Sequence, residues 1–554
     1  MTDVLTKPAT SPLQGQMMDQ PLLVSSILAF AARHYGDSEI VSRRVEGDLH
    51  RYTWRDCARR ARQLANALGT LGVGMGERVA TLAWNGYRHL ELYYGVSGSG
   101  AVLHTINPRL HPEQIAYIVN HADDGLLFFD LTFLPAIEAM ARQCKTVKAY
   151  VALCGREHMP RDSAIPNLLC YEDLIEAASG DGDWPQFDER AAAALCYTSG
   201  TTGNPKGALY SHRSTVLHAY ASAMPNALNV SAADVVLPVV PMFHVNAWGL
   251  PYSVPLSGAK LVLPGPALDG RSLYDLFEGE GVTLSAGVPT VWLGLVNHVI
   301  EHDLEFSTLR RTVIGGSACP PALMDTFIDR LGVQVVHAWG MTEMSPLGTV
   351  CTLGSRQAAL GPDAQRAVLR KQGHAIFGVD LKIVDDDGSE LPWDGVTFGH
   401  LMARGPWVVS GYFRGEGGDV LQDGWFPTGD VATIDPDGYL AITDRSKDVI
   451  KSGGEWIGTI ELENVAMAHP GVLQAACIGV AHPKWAERPL LVVVPRPGSA
   501  LTRDELLAWF GGKVAKWWIP DDVVFADSLP VGGTGKVQKN RLRDLYAAHR
   551  LPMG

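Results

Sequence analysis

Cysteine is scarce, with eight residues in a chain of 554 and no C-x-x-C pair. That excludes a disulfide framework and a zinc knuckle, and it points to a reducing compartment. Basic charge is also short: 46 Lys and Arg stand against 59 Asp and Glu, a formal net charge of −13. A general binder of nucleic-acid backbone is therefore not expected. The longest uncharged apolar run, Val235–Ala259, is interrupted by Pro238, Pro241, Pro251 and Pro255, so it cannot be one membrane-spanning helix. The opening MTDVLTKPATSPLQ lacks the apolar core of a secretory signal. These absences lead to the expectation of a cytoplasmic protein.

Length and composition allow a large buried core. At about 150 residues per domain the chain holds two to four domains, and its 46% hydrophobic and 19% charged residues are ordinary for a globular protein. The charge is unevenly spread. From Asp444 onward there are 14 basic and 12 acidic residues, so the deficit of −15 lies entirely before it. A basic C-terminal part on an acidic body suggests that this part faces an anion.

Periodicity gives alternating layers. Thr53 caps a segment whose apolar positions Cys57, Ala61, Leu64, Ala65, Leu68 and Leu71 have helical spacing. A strand over Val79–Ala83 follows, and the cycle repeats through a helix near His89–Val96, a strand at 101–105, a helix at 112–120 and a strand at 125–130. This alternation predicts α/β layers with largely parallel sheets. Residues 155–190 and 352–372 read as surface excursions. Further on, Val431–Ile434 and Tyr439–Ile442 flank Asp435-Pro-Asp-Gly438, a hairpin signal. After Asp444-Arg445 comes a short α+β pattern: a helix from Ile457, strands near 475–480 and 490–494, a helix from Thr502 and a last one after Lys539. The expected division is residues 1–443 and 444–554, with the hinge at 444–445.

The densest chemistry is Tyr197-Thr-Ser-Gly-Thr-Thr-Gly-Asn-Pro-Lys-Gly207. Three glycines, four hydroxyls of Thr and Ser and one lysine suit a loop that wraps a polyphosphate with backbone N–H groups and hydroxyls. It is not a Walker A loop, because Lys206 is followed by Gly207 instead of Ser or Thr. Gly315-Gly-Ser-Ala-Cys319 is not a nucleophile elbow either, since Cys319 holds the final glycine position.

Several ordered segments then resemble one family. They are LPVVPMFHVNAWGLPY (237–252), GGSACP (315–320), HAWGMTEMSP (337–346), DGWFPTGD (423–430), SGGEWI (452–457) and HPKWAERPL (482–490). Together with the loop at 197–207 they resemble the AMP-forming acyl-CoA synthetases of the adenylating superfamily, which includes luciferase and peptide-synthetase adenylation domains. The resemblance runs from about Gln20 to Leu545 and is nearest to bacterial medium- and long-chain fatty-acid CoA ligases. It implies a large N-terminal domain of layered α/β sheets with a β-rich part, and a small mobile α+β lid at the C-terminus.

Site roles follow from that resemblance, position by position. Thr198, Ser199, Gly200, Thr201, Thr202, Gly203 and Lys206 would hold the ATP phosphates, and Gly316, Ser317, His337, Ala338 and Trp339 would line adenine. Thr342 would touch the α-phosphate, and Glu343 with Thr198 would bind Mg²⁺, a hard cation that favours carboxylate and substrate oxygens. Asp430 would accept the ribose hydroxyls beside Arg445, with Lys447, Lys451 and Trp456 on the phosphate side. Ser452, Gly453 and Gly454 would line the pantetheine path of coenzyme A. Lys536, in a glycine-rich loop, matches the catalytic lysine, and Asp444 matches the hinge. Among the acyl contacts, Gly315 and His244 accompany Trp248, the expected gate of an acyl tunnel. Read alone, Thr342-Glu343 is a helix cap, Lys447 and Lys451 a solvated pair, and Trp248 simple core; the surrounding matches favour the roles above.

The implied reaction activates a fatty acid, medium-chain first, with ATP to an acyl-adenylate and passes it to coenzyme A, releasing AMP and pyrophosphate. Long-chain or aryl acids and short thioether acids such as 3-methylthiopropionate are the alternative substrates. Loading of a carrier protein is the alternative of another class. A homodimer is expected, with no nucleic-acid partner and no transmembrane segment; peripheral contact with a membrane surface stays open.

Overall fold

Thr53 starts the long helix Trp54–Thr70 through reciprocal bonds. Its hydroxyl accepts the Asp56 N–H, and the Asp56 carboxylate accepts the Thr53 N–H. Such a box is worth about 1 kcal/mol. The apolar stripe Cys57, Ala61, Leu64 and Leu68 is buried against the helix Tyr87–Gly98, which is covered on every side. The two helices approach so closely that a Cβ on Gly95 would lie 2.7 Å from Leu64 Cδ2. Only glycine fits there.

The computed structural model describes residues 13, 15–198, 204–453, 455–532 and 537–552. Among these, the strands fall into four sheets. The first runs in the order Leu168–Cys170, Ala149–Ala152, Asp124–Phe129, Arg78–Leu82, Val102–Thr105, Ala192–Tyr197 and Gly207–Ser211. It is parallel until its last pair, which is an antiparallel hairpin. The second sheet has nine strands. A parallel centre of Gln334–Gly340, Arg311–Ile314, Leu284–Gly287, Val235–Pro238, Lys260–Leu263 and Glu39–Arg43 is flanked by antiparallel strands at both ends. The chain is thus layered α/β, as the alternating pattern predicts.

The third sheet is antiparallel throughout, in the order Asp380–Val384, Gly399–Arg404, Phe426–Ile434 and Leu440–Arg445. Its last hairpin turns at Asp435-Pro-Asp-Gly438, where Gly438 N–H reaches the Asp435 carbonyl at 2.8 Å. The fourth sheet begins at Ile450 and joins Glu455–Ile457, Ile450–Ser452, Ala486–Pro495, Val472–His482 and Asp522–Phe525. Helices Thr459–Met467, Arg503–Trp509 and Lys539–Leu545 accompany it.

Three boundaries differ from the sequence reading. The helix expected from Ile457 begins at Thr459, because Glu455–Ile457 pairs as a strand with Ile450–Ser452. The excursion at 155–190 contains the edge strand Leu168–Cys170 and the helix Tyr171–Ala177. That helix places Glu172 among Arg60, Arg88 and Tyr87, and sets the Tyr171 hydroxyl 2.6 Å from Glu91. The other excursion, 352–372, folds into two short helices, Ser355–Ala358 and Pro362–Leu369.

Candidate active site

The loop expected to hold polyphosphate leaves the first sheet at Tyr197 and returns at Gly207. Those two residues are cross-strand partners, and Thr198 N–H donates to the Lys206 carbonyl at 2.8 Å. The hairpin therefore closes the neck of the loop; Ser199, Gly200, Thr201, Thr202 and Gly203 lie outside the described residues. At this neck the Tyr197 hydroxyl meets His121 Nδ1 at 2.6 Å, and His121 Nε2 lies 3.4 Å from Glu416. The Lys206 ammonium sits over the ring of Tyr412, 5.1 Å from its centroid.

Tyr412 also touches the residue expected to bind metal. Its hydroxyl donates to Glu343 Oε1 at 2.8 Å. Thr342 and Glu343 are buried in a short turn after Gln334–Gly340. The turn is fixed from both sides: Tyr210 donates to the Thr342 carbonyl at 2.5 Å and Val409 N–H to the Glu343 carbonyl at 2.8 Å. The sequence reading missed Tyr412, Tyr210 and His121; lone aromatics and a lone histidine outside the quoted segments carry no spacing signal.

On the far side, the hairpin of the third sheet places Asp430 opposite Arg445, and Val431 opposite Asp444. Because neighbours on a strand point to opposite faces, Asp430 and Arg445 share one face and Asp444 takes the other. Asp430 is almost fully buried; its Oδ1 lies 2.9 Å from Arg445 Nε and its Oδ2 accepts the Trp339 indole N–H at 2.9 Å. The Trp339 ring backs on Gly348, where a Cβ would lie 2.6 Å from the indole. His337 points elsewhere. It is buried, its Nδ1 lies 3.0 Å from the Arg370 carbonyl, and burial pushes its imidazole down to about 4. Ala338 is buried on the same strand.

The acyl nominees meet at the end of the second sheet. The Trp248 ring lies against the backbone of Gly315 and Gly316, 3.4 and 3.5 Å from where their Cβ atoms would stand. Gly315 has no room for a side chain, since its Cβ would come within 2.8 Å of the Ala338 carbonyl. Ser317, next in the chain, is exposed. Trp248 is the fourth of five consecutive left-handed residues, with φ from +46° to +58° over Val245, Asn246, Ala247 and Trp248 and +79° at Gly249. Such a run is strained for L-residues, at about 1–2 kcal/mol each. Asn246 is fully buried, and its Oδ1 takes Tyr93 Oη at 3.3 Å and Cys196 Sγ at 3.3 Å. His244 borders a small cavity with Thr105, Cys196, Tyr197 and Phe243.

The lid nominees form a separate group along the fourth sheet. Lys451 and Trp456 are cross-strand partners, with the ammonium 5.2 Å from the ring, and Trp456 in turn lies 5.4 Å from the His400 ring of the third sheet. Lys447 is exposed, and partial desolvation lowers its ammonium below the ordinary value. Ser452 is buried, accepting Arg488 at 3.3 Å, while Gly453 is left-handed and packed under Trp485. Gly454 and Lys536 lie outside the described residues.

Glu343 follows the end of strand Gln334–Gly340 and the loop neck the end of Ala192–Tyr197, Tyr412 links Glu343 to Lys206, and Trp339 at the end of the first of these strands meets Asp430 of the third sheet. The profile of the AMP-binding enzyme family, described as "AMP-binding enzyme", matches residues 28–413, and that of the "AMP-binding enzyme C-terminal domain" matches residues 461–536. The chain belongs to the AMP-binding enzymes. A 3-methylmercaptopropionyl-CoA ligase of Ruegeria lacuscaerulensis is 56% identical over 96% of this chain and 98% of its own. A medium-chain-fatty-acid–CoA ligase of Ectopseudomonas oleovorans is 53% identical over 96% of this chain and 97% of its own. Among solved structures, ATP-bound MatB from Rhodopseudomonas palustris has a TM-score of 0.79 at 26% identity, covering 94% of this chain and 99% of that one. The family profile spans the loop at 197–207, the Gly315 turn, Thr342 and Glu343, and ends at Phe413 just past Tyr412.

Proposed function

We propose that this AMP-binding enzyme is an ATP-dependent acid–thiol ligase that makes acyl-CoA, with a medium-chain fatty acid as its acid. The observation that carries the reading is the convergence of Asp430, Trp339 and Arg445 on one side with Glu343, Tyr412 and Lys206 on the other. A buried carboxylate suits a ribose diol, and a lysine at a loop neck suits a polyphosphate. In the first half-reaction a carboxylate oxygen of the acid bonds to the α-phosphorus of ATP and the bond to pyrophosphate breaks. In the second, the coenzyme A thiolate bonds to the acyl carbon and AMP leaves. No protein nucleophile is needed; the chain supplies positioning and aimed charge. Lys536 serves the first half-reaction and the Ser452–Gly454 loop the second, with Asp444 as the hinge between residues 1–443 and the lid.

The donor set fits Mg²⁺. Glu343 offers a buried carboxylate held by Tyr412, a donor that suits a hard cation sharing substrate oxygens. Glu343 and Thr198 would hold it, and bound there it neutralises phosphate charge.

A medium-chain acid is favoured by the relative of that activity. The 56% identity to a 3-methylmercaptopropionyl-CoA ligase supports a second reading, a short thioether acid. Incubating the protein with MgATP, coenzyme A and a panel of acids from short to long chain, 3-methylmercaptopropionate included, decides between them. AMP released in step with acyl-CoA, fastest on medium-chain acids, is expected; AMP formation indifferent to coenzyme A sinks the ligase reading and favours carrier loading. Cytoplasmic location and a homodimer belong to the same proposal, the latter checked by light scattering. Among the described residues no helix is long and apolar enough to cross a membrane.

A further inference from the structure

Lys539 carries a largely covered ammonium, its side chain 12% exposed, that the reaction above does not use. It opens the helix Lys539–Leu545, and its Nζ lies 2.7 Å from Glu463 Oε1 and 2.5 Å from Thr459 Oγ1. An ammonium can only donate, so the Thr459 oxygen is the acceptor. The Thr459 hydroxyl then donates its own proton to Asp444 Oδ2 at 2.6 Å, and the Thr459 N–H donates to the same oxygen at 2.6 Å. Asp444 and Arg445 are adjacent on the strand whose other face carries the Arg445–Asp430 pair. A continuous polar path therefore runs from the last helix, through Lys539 and Thr459, to the strand that bears the nucleotide-side pair.

We infer that Lys539 is a positioning residue for the adenylation half-reaction, fixing the last helix and the residues just before it to the hinge carboxylate of Asp444. Immediately ahead of it, Val531 bridges Val537, and Gln538 N–H donates to the Pro530 carbonyl at 2.7 Å. Lys536 precedes Lys539 by three residues, within about 10 Å of extended chain, so an anchor at 539 limits where that lysine can stand. An anchor matters because a misplacement of about 1 Å at a reacting group slows a reaction by about 10². Packing alone does not explain the ammonium. Leu542, on the same helix, already supplies the apolar contact, and buried ion groups replaced by apolar ones of like volume often leave stability unchanged. The cluster is also short of positive charge, with Glu463 and Asp444 facing Lys539 and the nearby Asp448 paired to Arg543. Burial raises both of the facing carboxyls, while the two of them hold the Lys539 ammonium above its ordinary value.

The inference rests on the proposed two-step reaction, and the test keeps the two apart. The double variant Lys539→Met with Glu463→Gln removes the ammonium together with one opposing charge, leaving the Thr459–Asp444 bonds. Thr459→Val breaks the same path in a second place with a side chain of equal size. For each, acyl-adenylate formation, followed by pyrophosphate release, is compared with transfer to coenzyme A from supplied acyl-adenylate, and melting temperature is recorded. Adenylation lower by about 10-fold or more, with transfer within about twofold of wild type and melting within a few degrees, is the expected result; Lys539→Arg should retain more adenylation than Lys539→Met. Normal adenylation in either folded variant, or equal loss in both half-reactions, overturns the inference. Lys536→Ala serves as the control: if that variant adenylates normally, it is the reading of the reaction that fails.

Discussion

Trp339 and Asp430 are joined across two sheets, the indole N–H of one donating to the carboxylate of the other at 2.9 Å. The carboxylate is thereby aimed from behind by a rigid ring, while Arg445 meets its second oxygen. Trp339→Phe keeps the ring packed on Gly348 and removes only the donor. A hydrogen bond to a charged group contributes about 1.5–3 kcal/mol, so KM for ATP should rise by about 10-fold or more with a smaller change in kcat. Steady-state kinetics with ATP varied, alongside a melting curve, check this. An unchanged KM with a lowered melting temperature would show that the tryptophan serves packing alone.

Tyr412 connects the two charged nominees of the phosphate side. Its hydroxyl holds Glu343 and its ring face carries the Lys206 ammonium. Tyr412→Phe preserves the face and releases the carboxylate. The expected result is weaker binding of MgATP by about 5- to 10-fold, partly restored at high Mg²⁺, with binding of ATP in the presence of chelator nearly unchanged. Calorimetric titration reads both directly. If chelator-treated and Mg²⁺-loaded titrations weaken equally, the phenol does not act through Glu343.

Much of this arrangement was legible in the residues, and the rest was hidden for identifiable reasons. The Thr53 cap, the Asp435-Pro-Asp-Gly438 turn and the strand before Thr198 carry local signals, since backbone geometry there demands particular residue types. Leu168–Cys170 does not, being too short for any period to show. The left-handed run at Val245–Gly249 has glycine only at its last position, so the sequence signals its end and not the four residues before it; the packing of Asn246 among Tyr93, Thr105 and Cys196 holds it. Lys539 carries no signal in the sequence beyond standing at a helix start, because its partners Thr459 and Glu463 lie some eighty residues earlier.

Buried histidines make the fold acid-sensitive. His212 accepts the Val24 N–H at 3.1 Å and His218 the Leu347 N–H at 3.1 Å, roles that an imidazolium cannot play. Burial pushes His212 down to about 4 and His218 to about 3. A base depressed in the folded state stabilises it fully above the unfolded value near 6.5, and that contribution is lost as pH falls through the folded value. Fully expressed, the shifts correspond to about 3 kcal/mol for His212 and about 5 kcal/mol for His218. Melting temperature should therefore be flat from pH 8 to pH 7 and decline steadily below about 6.5. A curve flat down to pH 5 would contradict the buried neutral state of both rings.

Trp248 offers the sharpest separation between packing and selectivity. Its ring covers Gly315 and Gly316, and the left-handed residues before it present it there at a conformational cost that simple core filling would not require. If it closes the way to the acyl site, Trp248→Ala should shift the chain-length preference and leave KM for ATP within about twofold. Truncation of a buried aromatic that only packs removes about 3–5 kcal/mol of stability. Trp248 is half-buried, so a loss well below that range is expected from packing alone. A chain-length profile measured beside the melting temperature distinguishes the outcomes: a changed profile with modest destabilisation supports the gate. An unchanged profile with a large drop in melting temperature assigns Trp248 to the core, and the acyl path must then be sought beside His244 instead.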